Sequence, residues 1–416
     1  MRYCLVTYGS RGDVQPFIYL ALSLNTKGHH ATLAGPENFQ QLVESYGIDF
    51  YPLFGDSEDI VKSPEFRKVI KTGSNIAFAR IAIRKMREKG IAILQGMHEA
   101  CKSADVIVSL NLCVFFAAAV AEKLDKKWML VQLNPPMIPT REFPILMHNF
   151  PDVKLLNRYT YILVNRALEM VQKKDYALFR ETLGLPPFKG SLFDKVMNDK
   201  VPMIHAYTQE FITRPLDWDE QITIAGFFTP RPDASKIPKV PAGLEEWIQA
   251  GDKPLYIGFG SIPFPDPAKL TKTISDLLNK TDIRIIYCRG WSDLPDLQPN
   301  PRLLIIDKAD HTWLLPKCCA AVIHGGIGTL AAVLEAGIPV IVASLFVDQP
   351  AWGKIIQHRN LGVHIPWRKL SAKTILDGLS KFKQEPMATV IPQAHTRLLK
   401  EDGIAIAIAT IEAYSN

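Results

Sequence analysis

CAAVIHGGIGTLAAVLEAGIPVIVASLFVDQPAW, residues 319–352, spells one complete βαβ unit with a polar residue waiting at each strand exit. Residues 320–323 are a short apolar strand. His324 follows, and Gly325, Gly326 and Gly328 open the turn into a helix that Gly337 terminates. Residues 338–343 form a second strand, too uniformly apolar to have a wet face, which places it inside a parallel sheet covered by helices. Asp348 and Gln349 come just past its end. The chemistry that suits this layout is anion binding. Glycines let main chain approach a ligand closely, and the amides of the first helical turn, residues 327–330, point outward with the helix dipole behind them. His324 and the Thr329 hydroxyl add side-chain donors for a phosphate, while Asp348 and Gln349 suit the hydroxyls of a sugar. A bare HGGxG turn fits any α/β protein; the DQ pair at the next strand exit favours phosphate plus sugar.

At 416 residues the chain exceeds what one hydrophobic core usually organises, so two domains are expected. Apolar runs fall short of a membrane span, and the N-terminus passes from Arg2 directly into a strand without a signal-peptide layout, which predicts a cytoplasmic protein. The six cysteines lack paired metal spacing and read as buried reduced thiols. A net charge of +6 allows an anionic ligand or a lipid surface and does not argue for nucleic acid.

Residues 2–53 alternate strand and helix: strands at 3–7, 30–34 and 48–53, a helix with Pro16 in its first turn running to Gly28, and another from 37 to 46. That alternation predicts a doubly wound parallel sheet, and the loop Gly9-Ser10-Arg11-Gly12-Asp13 lies at the carboxyl end of its first strand, where such sheets bind ligands. The basic stretch 66–90 with Phe78, Ile81 and Ile83 suggests a lid, a peripheral membrane contact or an ordinary surface helix. Strands at 105–109 and 128–132 continue the sheet. The proline-rich loop 134–144 is expected to line a pocket with aromatic residues of a long helix at 155–183.

Proline-dense polar sequence near 214–241 reads as a linker. Asp217-Trp218-Asp219 inside it has the form of a metal-binding DxD motif, a reading set aside because the pair sits off any strand exit and lacks a third ligand. Four segments are expected: an acceptor-binding domain 1–215, a linker 216–241, a nucleotide-binding domain 242–395, and a C-terminal helix, 396–416, packing back toward the first. The second half restarts the strand-helix pattern of the first, with strands at 255–259, 283–288 and 303–306 ahead of the opening unit. A flat indole at Trp291 suits a base, the helix start at Gly326–Thr329 a diphosphate, and the DQ pair a sugar.

The motifs GSRGDVQPF (9–17), PTREFP (139–144), ETLGLPP (181–187), GFGSI (258–262), RGW (289–291), HGGxGT (324–329) and DQ before Trp352 together resemble family 1 glycosyltransferases, most of all the sterol 3-beta-glucosyltransferases and their bacterial relatives. The resemblance implies a GT-B fold: two Rossmann-like doubly wound α/β domains facing across a cleft. It also implies that Asp13, in a loop supported by Ser10, Arg11 and Gly12, is the catalytic base. His324, Gly326, Gly328 and Thr329 match the diphosphate site, Ser261 a further phosphate contact, Trp291, Ala309 and His311 the nucleoside region, and Asp348 with Gln349 the donor sugar. Three positions depart from the pattern: Ile323 replaces a histidine, Leu330 a threonine, and Val347 the glycine before DQ, where it enlarges a wall near the sugar.

The implied reaction is an inverting, metal-independent transfer of a hexose, glucose first, from a UDP-sugar co-substrate to a hydroxyl of a hydrophobic acceptor such as a sterol, triterpene or polyphenol. A different donor such as a deoxyhexose nucleotide, a UDP-sugar epimerase of the same fold, or a silent UDP-sugar binder are the alternatives. An acceptor pocket is expected from Phe78, Phe115, Phe116, Phe143, Phe150, Tyr159 and Tyr161.

Overall fold

The computed structural model describes residues 1–57, 59, 63–72, 75–230, 240–260, 262–290, 297–308 and 310–415. They form two compact units: 1–66, 76–228 and 402–416 in the first, 67–75 and 229–401 in the second.

The first unit is built on a seven-stranded parallel sheet. Its strands are β1 (Arg2–Val6), β2 (His30–Pro36), β3 (Asp49–Leu53), β4 (Val106–Leu110), β5 (Lys127–Gln132), β6 (Met203–His205) and β7 (Ile222–Ile224), in the order β3-β2-β1-β4-β5-β6-β7. β4, VIVSL, is buried at every position, as a strand covered on both faces by helices must be. The chain builds outward from β1 to β3 and then returns to the other side of β1, so the switch point lies between β1 and β4. Ligands of doubly wound sheets bind outside the carboxyl ends at that point.

The first helix, Arg11–Thr26, starts five residues before Pro16, contrary to the expected start. Ser10 is its cap and Asp13, at the third helical position, closes the box back to Ser10. Pro16 sits inside and, lacking an N–H, cannot bond the Gly12 carbonyl.

The domain limits expected from composition need correction. Residues through 228 belong to the first unit, because β7 pairs with β6 and the Arg214 guanidinium binds the carbonyls of Trp218, Asp219 and Ile222, fixing a turn whose composition suggests a linker. Residues 231–239 of that stretch lie outside the described residues. The return passage is at 401–402 rather than 395–396. Helix Met387–Leu398 packs on helix Ile327–Glu335 of the second unit, whereas Gly403–Ser415 packs on Arg11–Thr26. A Cβ on Gly403 would stand 2.3 Å from the Phe227 carbonyl oxygen, so only glycine lets these two segments pass so closely. Residues 67–75 join the second unit, where Arg368 bonds the Lys71 carbonyl.

The second unit carries a six-stranded parallel sheet of β8 (Leu255–Gly258), β9 (Ile285–Cys288), β10 (Leu303–Ile306), β11 (Ala320–Ile323), β12 (Val340–Val342) and β13 (Gly362–His364), ordered β10-β9-β8-β11-β12-β13. Its switch point lies between β8 and β11. Among the described residues no helix is long and apolar enough to cross a membrane.

Candidate functional site

Four strand exits meet at the switch point of the second sheet. Gly260, at φ +61°, follows β8; a Cβ there would stand 3.3 Å from His324 Cε1. Gly290, at φ +52°, follows β9, and its Cβ would lie 2.2 Å from the Gly260 carbonyl oxygen. Gly326 follows β11 with His324 Nε2 2.5 Å from where its Cβ would be. The β12 exit reaches the same place, since Gln349 packs against Gly325. Gly260 and Gly326 therefore let backbone close on the His324 ring, and Gly290 lets the β9 exit close on Gly260. Gly260 and Gly290 go beyond the residues expected from sequence, although a glycine directly past an apolar strand is the visible signal.

His324 is buried and its Nδ1 has no partner. Burial, with the adjacent His311, pushes the imidazole down to about 4, so it is neutral at physiological pH. An orphaned buried nitrogen invites a ligand atom. Beside it begins helix Ile327–Glu335, capped by Gly326 with no side-chain cap, so its first amides have no intrahelical acceptor. Gly328 is exposed, a Cβ added to it would meet nothing within 4 Å, and Thr329 is half-buried next to it. Open space, outward amides and a neutral donor make an anion cradle. His311 lies close by, with its Nε2 2.9 Å from the hydroxyl of buried Tyr256, a residue with no signal of its own in the sequence. Ser261, Trp291 and Ala309 lie outside the described residues.

The DQ pair serves partly as scaffold. Gln349 is buried, and its Oε1 accepts from the amides of Leu345 (2.9 Å) and Phe346 (3.4 Å), which leaves the amide nitrogen for a ligand. Asp348 caps helix Gln349–His358 and accepts from Trp352 Nε1 at 3.1 Å. Between them and β12, Val347 adopts φ +59°. A β-branched residue in that left-handed region carries strain of roughly 1–2 kcal/mol, against about 0.5–1 kcal/mol that glycine loses through its freer unfolded chain. Val347→Gly should therefore raise the unfolding midpoint slightly, read by scanning calorimetry; a lowered midpoint would show that the backbone there is relaxed.

Asp13 stands at the switch point of the first sheet. Its Oδ2 accepts from the Ser10 amide (2.7 Å) and the Ser10 hydroxyl (2.9 Å), leaving Oδ1 without a hydrogen-bond partner among the described residues. A Cβ on Gly9 would lie 2.4 Å from that Oδ2, so position 9 must be glycine if the carboxylate is to keep this pose. Burial raises the Asp13 carboxyl above the usual range, the two Ser10 bonds offsetting only part of it. The negative charge of Asp13, after burial, helps push Cys113 at the β4 exit up to about 12. Ser10 thus holds the Asp13 carboxylate in place. Arg11 Nε binds Gln15 Oε1 at 3.0 Å, and Gly12 is exposed.

The expected aromatic lining shrinks. Phe115 and Phe116 are core, packed on Tyr176 and Phe179, and Tyr161 is fully buried with its hydroxyl on the Pro144 carbonyl. Phe78, Phe143 and Phe150 are half-buried, and Tyr159 is exposed. The proline-rich loop is pinned from beneath: Asp217 accepts from the Thr140 hydroxyl and the Arg141 amide. Asp219 pairs elsewhere, with Lys200, so the DxD carboxylates have separate structural duties. Among the described residues no group of three or more His, Cys, Asp or Glu could hold a metal ion.

Two buried histidines and half-buried His364 set an acid-side stability limit. Burial moves His205 down to about 3 and His324 and His364 to about 4. Each folded-state value lies below the unfolded one, so between pH 6.5 and 4 the unfolded chain binds more protons and acidification destabilises the fold. Glu335, raised to about 7 by burial, works in the opposite sense, as does Asp13, but three displaced imidazoles outweigh two carboxyls. The unfolding midpoint should fall from pH 6.5 to 4, and less steeply in His205→Phe. A flat profile would contradict this.

Comparison with known proteins adds a consistent picture. Residues 3–113 match the glycosyltransferase family 28 N-terminal domain, and residues 273–402 match the erythromycin biosynthesis protein CIII-like C-terminal domain. A sterol 3-beta-glucosyltransferase of Arabidopsis thaliana is 32% identical over 98% of this chain, and one of Neosartorya fischeri 31% identical over 99%. The chain spans 64% of the plant protein's length and 29% of the fungal protein's. Two solved structures share the fold over all of this chain and 99% of their own: the glycotransferase of kitacinnamycin (TM-score 0.71, 17% identity) and the glycosyltransferase VinC in complex with DTDP (TM-score 0.67, 15% identity).

Proposed function

We infer that this chain, which shares the GT-B fold and is similar along its length to sterol 3-beta-glucosyltransferases, is an enzyme that moves a hexose from a UDP-sugar to the hydroxyl of a hydrophobic alcohol, sterols foremost. One observation carries the reading: each unit places a fitting group at its own switch point, a carboxylate with an unoccupied oxygen in the first and an anion cradle in the second.

Asp13 Oδ1 accepts the proton of the acceptor hydroxyl as that oxygen bonds to the anomeric carbon. The bond from that carbon to the diphosphate breaks on the opposite face, which inverts the configuration. The departing charge falls to the amides of Ile327, Gly328 and Thr329, to the Thr329 hydroxyl and to neutral His324. A raised Asp13 carboxyl is a stronger base than an ordinary aspartate, provided it is ionised at the working pH. Asp348 and the Gln349 amide nitrogen bind the sugar, His311 lies towards the nucleoside, and Val347 narrows the choice of hexose. Helix amides and dipole neutralise the diphosphate in place of a metal, so chelator should leave the rate unchanged.

Mass spectrometry of products from UDP-sugars and deoxyhexose nucleotides crossed with sterols and other hydrophobic alcohols tests this. A hexose added to a sterol supports it. A changed sugar nucleotide without any acceptor would point to an epimerase, and binding without turnover on the whole panel to a sugar-nucleotide binder.

A further inference from the structure

The long helix of the first unit, Lys154–Thr182, buries Tyr161, Tyr176 and Phe179 but over its first half turns mostly polar residues inward and apolar ones outward. Its inner face buries Asn157, Thr160 and Asn165, which hydrogen-bond the Arg141 carbonyl, the Ile145 amide and the Met137 carbonyl of the proline-rich loop. Its outer face shows Leu155, Leu156, Tyr159, Ile162, Leu163 and Met170, with Leu155 85% and Met170 77% exposed. At 100° per residue these six positions fall within an arc of about 120°, a single stripe. Of the 16 exposed large hydrophobic residues among those described, nine lie between Val153 and Leu178, so this is a patch and not the ordinary scatter of a soluble surface.

The charge around the stripe is one-sided. Lys154, Arg158, Lys173 and Lys174 are exposed and form no ion pair among the described residues. Of the helix's three carboxylates, Glu169 is neutralised by Arg166 and Asp175 by Arg87, while Glu181 stands in the last turn, beyond the stripe. Arg87 also bonds the Val171 carbonyl, which draws the basic helix Asn75–Cys101 alongside. A second copy of the chain would be a poor occupant, since an isologous pair would set identical cationic rims against one another. An anionic bilayer satisfies both features, with headgroups for the cations and acyl chains for the leucines.

We propose that the outer face of helix Lys154–Thr182 binds the surface of a bilayer containing anionic phospholipid, lying in the interface rather than crossing it. This stands independently of the transfer reaction, because vesicle binding is read without donor or acceptor. The full chain should float with vesicles of phosphatidylcholine mixed with phosphatidylglycerol, bind pure phosphatidylcholine at least about tenfold more weakly, and release as salt rises. Leu155→Ser with Leu163→Ser, both exposed and therefore harmless to the core, should reduce flotation by about tenfold or more with an unchanged circular dichroism spectrum. Lys173→Glu with Lys174→Glu should abolish the preference for the anionic lipid. The proposal is overturned by a wild-type chain that ignores anionic vesicles, by flotation indifferent to both double variants, or by light scattering that shows a dimer which Leu155→Ser with Leu163→Ser dissolves.

Discussion

Asp13→Asn should lower turnover by roughly 10²–10⁴-fold while leaving UDP binding intact, the loss expected when a general base is removed and nothing else is disturbed. The substitution is chosen for its shape. Asparagine Oδ1 can still accept from the Ser10 amide and hydroxyl, so the capping box that starts helix Arg11–Thr26 survives, and Gly9 keeps its clearance. What is lost is only the ability to take a proton. In the wild type the rate should fall on the acid side at a pH above the usual carboxylate range, because burial has raised this group, and that limb should be missing from the residual activity of the variant. Near-normal turnover in Asp13→Asn would remove the base assignment and leave the fold assignment standing.

The second large effect is expected from Gly328→Asp. Position 328 is exposed and its Cβ direction is open, so the side chain fits without displacing anything. A carboxylate in the first turn of helix Ile327–Glu335 even favours the helix dipole by about 0.3–1 kcal/mol, so stability should hold or rise slightly. The same carboxylate would stand where a diphosphate is proposed to sit, adding like charge against like charge and occupying the outward amides. UDP binding should weaken by roughly two orders of magnitude or more, equivalent to about 3 kcal/mol, in a protein whose unfolding midpoint is unchanged. A structural role for this glycine predicts the reverse pattern, with lower stability and unaffected binding.

How much of the molecule is legible in its sequence depends on which physical signal each residue gives. The unit around His324 is readable because two strands without a polar position and a run of glycines between them admit few other structures. Strands β6, β7 and β13 are three residues each, too short for periodicity to show, and β12, equally short, is readable because the apolar run 338–343 extends it. The first helix starts earlier than expected because Pro16 resembles a first-turn proline, whereas the capping box of Ser10 and Asp13 governs. The stretch around Trp218 looks like linker from its prolines; composition carries no sign that Arg214 ties its carbonyls or that Trp218 stacks on His205 at 5.3 Å. Phe115 and Phe116 are candidates for a pocket only because a sequence shows that a residue is aromatic and not which way it faces. The long helix is opaque for the same reason: its inward face mixes Tyr161, Tyr176 and Phe179 with Asn157, Thr160 and Asn165, which bond the proline-rich loop, while leucines stand outward.

The most direct measurement is the linkage and mass of the product formed from UDP-glucose and a 3β-hydroxysterol by the wild-type chain and by Asp13→Asn side by side. A β-linked hexosyl sterol from the wild type, with almost none from the variant, is the expected result. No hexosylated alcohol from a protein that demonstrably binds UDP, or equal product from both chains, would contradict it.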